Sequence, residues 1–260
     1  MKKISLIYTS ALICSLTFFS ACKKDTTVTG PAGPAGPAYT GIFTGHISLF
    51  DQYDSKLFSQ LNKVKISIDG TSMSTMTDST GKFSFPNLST GTYTLTYSDS
   101  TFGTFKAQNI QLLEGTNTRD ARLSKIPNFN IDPTLVAVDT ITVAAKDSTA
   151  YVKLRGTIGA DTRARTLIVF VGNTSATSAD PATYMLTYTK TINGNPSASS
   201  FTIFIPKYDL TNALLTSGST VYFAVYGMAT SATTYEDLPT GRTVYTAISP
   251  SAVTVNHVIP

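Results

Sequence analysis

What most constrains this chain is an alternation of apolar and polar residues, interrupted by turn signals every ~8–12 residues. Val64, Ile66 and Ile68 fall on one face of an extended segment, with Lys63, Lys65 and Ser67 on the other. Phe83 and Phe85 repeat the pattern, as do Tyr93, Leu95 and Tyr97. Between them lie Asp69-Gly70, the run Asp78 to Gly81, and the run Pro86 to Gly91, all rich in turn-forming residues. A period of two fits a pleated strand and does not fit the 3.6-residue period of a helix. The prediction is all-β: two antiparallel β-sandwich domains in tandem, after a signal peptide and a short Gly-Pro-Ala stalk.

Composition narrows the class further. The chain has 260 residues, enough for one large or two ordinary domains. Only 14% of residues are charged, against ~25% in a typical chain, and 70 are Ser or Thr. An apolar share of 42% excludes a charged disordered protein, and the presence of only two Glu argues against coiled coils and helical bundles.

The N-terminus carries an address. Met1-Lys2-Lys3 precedes an apolar stretch from Ile4 to Phe19, then Ser20, Ala21 and Cys22. The stretch has the form of a secretory signal over residues 1–21, too short and too polar for a membrane span. Small residues before a Cys resemble the lipobox of bacterial lipoproteins, although Phe19 stands where Leu is commonest. That resemblance implies a diacylglycerol on the Cys22 thiol and an acylated α-amine; the bland alternative is a plain signal with a chance Cys. Cleavage would remove Cys14 and leave Cys22 without a disulfide partner, so the lone thiol needs another explanation. Two or three acyl chains anchor far more durably than one. Cleavage also removes Lys2 and Lys3, leaving 18 bases against 16 acids, a net of +2. With no basic stripe interleaved with exposed aromatics, nucleic acid is a poor partner.

Residues 22–38 read as a linker. Gly-Pro-Ala occurs three times from Gly30 to Ala38, too few triplets for a triple helix. An extended polyproline-like spacer of this length reaches ~28 Å. The residue after Cys22 is Lys23, not the Asp of the inner-membrane retention signal, so the expected home is the bacterial outer membrane, on its periplasmic or cell-surface face.

Residues 39–125 carry a family resemblance. Val64 to Thr71, then Thr77-Asp78 with Gly81, Phe83 and Phe85, then Gly91, Tyr93 and Leu95, resemble the carboxypeptidase regulatory-like family. The resemblance implies a transthyretin-like β-sandwich, with Gly81 and Gly91 in turns and the aromatic residues in the core. It implies no peptidase activity, because such domains accompany catalytic domains without containing them. No His-x-x-Glu zinc pair follows His46 or His257. A helical turn is expected over Leu57 to Asn62.

Residues 126–260 begin at a linker marked by Pro127 and Pro133. Leu154, Ile158, Leu167 to Val171, Phe201 to Ile205, Val221 to Val225 and Val253 to Val255 are the candidate core. Leu167 to Val171 is continuously apolar, as in a central strand covered on both faces. A helical turn is expected within Tyr208 to Leu215. Leu215 to Val225 resembles the late-strand signature of fibronectin type III and related immunoglobulin-like domains, which places a tyrosine corner at Tyr222. The segment lacks that family's early core Trp.

Candidate sites are few. With 70 hydroxyl residues, some Ser will lie near any His by chance, so no catalytic residue is assigned and the chain is expected not to be an enzyme. His46 is expected at a sheet surface. Asp51 and Asp54, in one loop with Tyr53, suit either turn chemistry or a hard cation such as Ca²⁺; no cofactor is called for. Tyr222 and Tyr226 on one strand face, with Tyr184 and Tyr188, form a possible stacking platform for sugar rings; alternatively both faces are covered and the hydroxyls satisfied locally. Asp followed by Ser or Thr and then Ala, Ile, Leu, Val, Met or Thr resembles a bacterial O-glycosylation sequon. It recurs at Thr26, Ser79, Ser100, Thr140 and Ser148, and the same pairs also make good turns. The expected function is a monomeric, lipid-anchored binding or display module whose partner is a glycan or another envelope protein. A structural spacer or assembly subunit of an outer-membrane complex is the alternative.

Overall fold

The computed structural model describes residues 39–129, 131–132, 137–142 and 150–259, without the side chains of residues 139–142, 150 and 151. The leader, the stalk, Cys22, Thr26 and Ser148 lie outside the described residues, as does the side chain of Thr140. Ala38–Pro260 forms one compact unit around two main hydrophobic cores.

The first core lies between two sheets. One is centred on β1 (Thr40–Phe50), which pairs antiparallel with β2 (Lys56–Leu57) and, across a 3-10 turn (Leu61–Lys63) and strands β3 (Lys65–Ile68) and β4 (Ser74–Met76), with β5 (Lys82–Ser89). The other continues through β6 (Gly91–Asp99) and β7 (Gly103–Leu112) in the order β4-β3-β6-β7. Two short strands, β8 (Gly115–Thr118) and β9 (Ala121–Ser124), return along β1 and pair with it in parallel. The inward set is the one that the alternation selects: Phe43 and Ile47 of β1, Phe83 and Phe85 of β5, Ile66 and Ile68 of β3, Leu95 and Tyr97 of β6.

Three details differ from the sequence expectation. Beside the antiparallel pairing expected, one sheet of the first sandwich adds two short parallel pairings, β8 and β9 on β1, because alternation fixes which face is buried and carries no information about strand direction. The helical turn expected over Leu57 to Asn62 is present but shorter and later, a 3-10 turn at Leu61–Lys63 that follows the end of β2 at Leu57. Gly81 does take a left-handed φ of 83°, whereas Gly91 is not among the positive-φ residues. Strands β5 and β6 belong to different sheets, so the chain makes a corner there rather than a reverse turn, and Asn87 takes the left-handed conformation at φ 57°.

The second core lies between a three-stranded and a four-stranded sheet. The chain order is β10 (Ala137–Thr142), β11 (Ala150–Ile158), β12 (Arg165–Gly172), β13 (Leu186–Ile192), β14 (Ser199–Pro206), α1 (Lys207–Asn212), β15 (Thr220–Met228), the hairpin β16 (Thr234–Asp237) and β17 (Arg242–Tyr245), and β18 (Val253–Val258). The sheets run β10-β11-β14 and β13-β12-β15-β18, all antiparallel, an immunoglobulin-like arrangement. Every residue of β12 is buried. Leu167, Val169 and Val171 face the inter-sheet core. Ile168 and Phe170 face outward into a second cluster with Tyr184, Ala224 and Tyr226, against which Tyr245, Ile248 and Ala252 pack. Leu215 packs under the sandwich, as the late-strand resemblance implies.

The two sandwiches meet across a specific junction. Gln52 of the β1–β2 loop accepts the Thr230 N–H on its carbonyl and the Asn128 N–H on its side chain, both at 3.0 Å. The Tyr53 hydroxyl donates to Asp161, and the Arg163 guanidinium lies 3.4 Å from the Tyr53 ring centre. Ser124 Oγ donates to the Ser231 carbonyl at 3.0 Å, and Gln108 donates to the Glu236 carbonyl at 3.0 Å. Gly103 sits where a Cβ would stand 2.1 Å from the Thr246 carbonyl oxygen. The junction therefore draws on the β1–β2 loop, β7 and β9 of one sandwich and, beyond them, on the linker at Asn128, the β11–β12 and β15–β16 loops, β16 and the segment after β17.

Candidate functional site

Strand pairing builds a polar array on the outer face of the first sandwich. Because Phe43, Gly45 and Ile47 point inward, Thr44 and His46 point outward. Thr44 stands opposite Ser84 on β5 and Thr118 on β8, and its hydroxyl lies 3.4 Å from that of Thr118. His46 stands opposite Lys82, and its backbone N–H donates to the Asp120 carboxylate at 2.8 Å. Two rows result, one of three hydroxyls and one of carboxylate, imidazole and ammonium.

A wall rises beside the array where the chain leaves β4. Thr75, the half-exposed Met76 and Asp78 line it, and the whole forms an open groove of about 650 Å³. Asp78 Oδ1 accepts from Thr80 N, Thr80 Oγ1 and Lys82 N at 2.7–2.9 Å. The Thr80 hydroxyl, then the Lys82 amide, hold its carboxyl below the usual range, so it is ionised at neutral pH.

The stacking platform suggested by Tyr184, Tyr188, Tyr222 and Tyr226 does not exist. Tyr184 is 4% exposed and Tyr226 is 8% exposed, both packed on Phe170. The Tyr184 hydroxyl donates to the Thr243 carbonyl, and Tyr226 accepts the Ala179 N–H at 3.3 Å. Tyr188 is half-buried and donates to Asp209 at 2.6 Å; burial, then that bond, pushes its phenol up. Tyr222 is half-buried beside Thr177 and Asn256. The hairpin β16–β17 and the loop before β13 cover the face that an isolated strand pattern leaves open.

Asp51 and Asp54 are likewise engaged rather than free to hold a cation. Asp51 Oδ1 accepts the N–H groups of Tyr53 and Ser55 at 2.9 and 2.8 Å, and Asp51 Oδ2 lies 3.7 Å from Arg163. Asp54 pairs with Arg122 at 2.6 Å; a hydrogen bond from Ser231, then Arg122, hold its carboxyl below the usual range. Among the described residues no group of three or more His, Cys, Asp or Glu could hold a metal ion. No described helix is long and apolar enough to cross a membrane.

Ser79 and Ser100 are both exposed and sit in turns of one kind. In each, the preceding Asp accepts the N–H two residues on, Thr80 at 2.8 Å and Thr101 at 2.7 Å.

No protein of curated function matches the sequence. Among solved structures, a candidate carbohydrate-binding protein from Bacteroides uniformis is similar at 14% identity, covering 84% of this chain and 99% of that one with a TM-score of 0.29. A DUF3823 family protein from the same species is similar at 9% identity, with 86% and 100% covered and a TM-score of 0.29. A type II cohesin–X–dockerin complex from Acetivibrio cellulolyticus is similar at 18% identity, with 33% and 58% covered and a TM-score of 0.28. Residues 59–124, from just before β3 to the end of β9, match the carboxypeptidase regulatory-like domain, the family whose pattern the first sandwich carries.

Proposed function

We propose that this chain is a non-enzymatic binding and display module of the bacterial outer membrane, tethered through lipid on Cys22. The observation that carries the reading is the junction. Hydrogen bonds to Gln52 and from Ser124, with the Tyr53–Asp161–Arg163 contact, hold one sandwich against the other, so they move as one arm. A fixed arm keeps a binding surface at a set attitude to its tether, which a pair of loosely strung beads does not. The exposed hydroxyls of Ser79 and Ser100 suit glycans that would shield the arm, and Thr26, Thr140 and Ser148 belong to the same proposal.

The junction also favours a second reading, a spacer or assembly subunit that sets the distance between other envelope proteins. The experiment for the first is fatty-acid labelling of wild type and of Cys22→Ser. Label on the wild type and release of the variant from membranes support the tether; an unlabelled, membrane-bound variant sinks it. Cross-linking in intact cells then separates the readings, because a spacer gives the same protein neighbours on every cell and a glycan binder gives none.

A further inference from the structure

The open groove on the first sandwich has a chemistry that points to one class of ligand. Thr118, Thr44 and Ser84 can each donate and accept, which matches a partner whose own groups do both. In the second row the Lys82 ammonium is balanced by the Asp120 carboxylate, and Asp78 has its Oδ1 saturated by its own turn. A polyanion therefore finds no concentrated positive charge there. The Met76 side chain, 51% exposed, adds a short polarizable strip at the wall, where the C–H face of a ring can rest.

Two features argue against a peptide strand as the occupant. Strand β4 is only three residues long, and β5 carries Pro86 and the left-handed Asn87 along its free edge. Short edges, Pro and local kinks are the devices that prevent strand addition. The groove also extends across three strands, about 10 Å at the usual ~4.8 Å inter-strand spacing, longer than a single sugar ring.

We propose that this groove binds a neutral glycan chain, its hydroxyls bridging the Thr118–Thr44–Ser84 row and the Asp120–His46–Lys82 row, with a sugar face on Met76. The assignment rests on the display reading above but fails separately from it. The test titrates purified Cys22→Ser protein with neutral hexasaccharides (cello-, xylo-, manno- and malto-) and with hexagalacturonate as the anionic probe, following the Met76 methyl and His46 ring signals by NMR. At least one neutral chain should shift both signals saturably. The Thr44→Val/Ser84→Ala variant should weaken it about tenfold or more, the loss of two modest hydrogen bonds. Tyr188→Phe, remote from the groove, should leave binding unchanged. If Thr44→Val disturbs folding, Ser84→Ala alone, at an exposed position of β5, should weaken binding about threefold, the loss of one such bond. Binding that ignores these substitutions, preference for hexagalacturonate, or no neutral glycan bound by a folded protein would each overturn the assignment. A blank result here leaves the tether standing, and an unlabelled Cys22 leaves the groove standing.

Discussion

The Arg163 guanidinium is stacked 3.4 Å from the centre of the Tyr53 ring, joining a loop of the second sandwich to a loop of the first. The Tyr53 hydroxyl also donates to Asp161, and Arg163 reaches Asp51 at 3.7 Å, so four side chains close one ring across the junction. Tyr53→Phe should cost about 1–2 kcal/mol, between the ranges for neutral hydrogen bonds and for bonds to charged groups, because the site is partly open to water. Arg163→Ala should cost about 0.5–1 kcal/mol. Since the two share partners, the double variant should lose less than the sum, which denaturant midpoints of the four proteins will show.

The same ring makes a pH prediction. The Tyr53 hydrogen bond, then the Arg163 amide, hold the Asp161 carboxyl below its usual range. A carboxyl lowered in the folded state stabilises fully above its unfolded value of ~3.9, and that stability is lost as pH falls through the folded value. Burial, then the bond to Asp161, raise the Tyr53 phenol. Its contribution is complete below ~10 and disappears as pH rises through the folded value. The stability gap between wild type and Tyr53→Phe should therefore be widest at neutral pH and narrow towards both extremes, read from urea midpoints across pH.

Gly45 is the position where β1 can least tolerate a side chain. A Cβ there would stand 1.9 Å from the Arg119 carbonyl oxygen and 2.7 Å from the Phe83 ring, at the break between β8 and β9. Gly45→Ala must displace backbone, and a loss of about 3 kcal/mol or more is expected from overpacking. Thermal melts will measure it.

Phe170 should be worth more than any tyrosine around it. Its ring centre lies 4.9, 5.5 and 5.7 Å from those of Tyr184, Tyr226 and Tyr245. Phe170→Ala should cost about 3–5 kcal/mol. Tyr184→Phe, which leaves the Thr243 carbonyl without its donor, should cost about 1 kcal/mol. Neither should alter glycan binding at the groove, since both lie in the other sandwich.

The alternation of Val64 to Ile68, of Phe83 and Phe85, and of Tyr93 to Tyr97 was enough to name the first core, because a strand's buried face is written locally. Continuous apolarity from Leu167 to Val171 likewise marked a strand covered on both sides. The cover itself was not legible. Nothing near Tyr184 or Tyr226 says that a hairpin some distance along the chain, at Thr234–Asp237 and Arg242–Tyr245, will close over them. The groove is illegible for a similar reason. Thr44, Ser84 and Thr118 become neighbours only through the register of three strands, one of them parallel. Asp51 and Asp54 resembled a cation loop because their arginine partners, Arg163 and Arg122, are far away in sequence.

Residual dipolar couplings of the backbone amides in one alignment medium will show whether both sandwiches move as one arm. The junction predicts a single alignment tensor that fits residues of both cores. Two tensors of different magnitude, one for each sandwich, would contradict it.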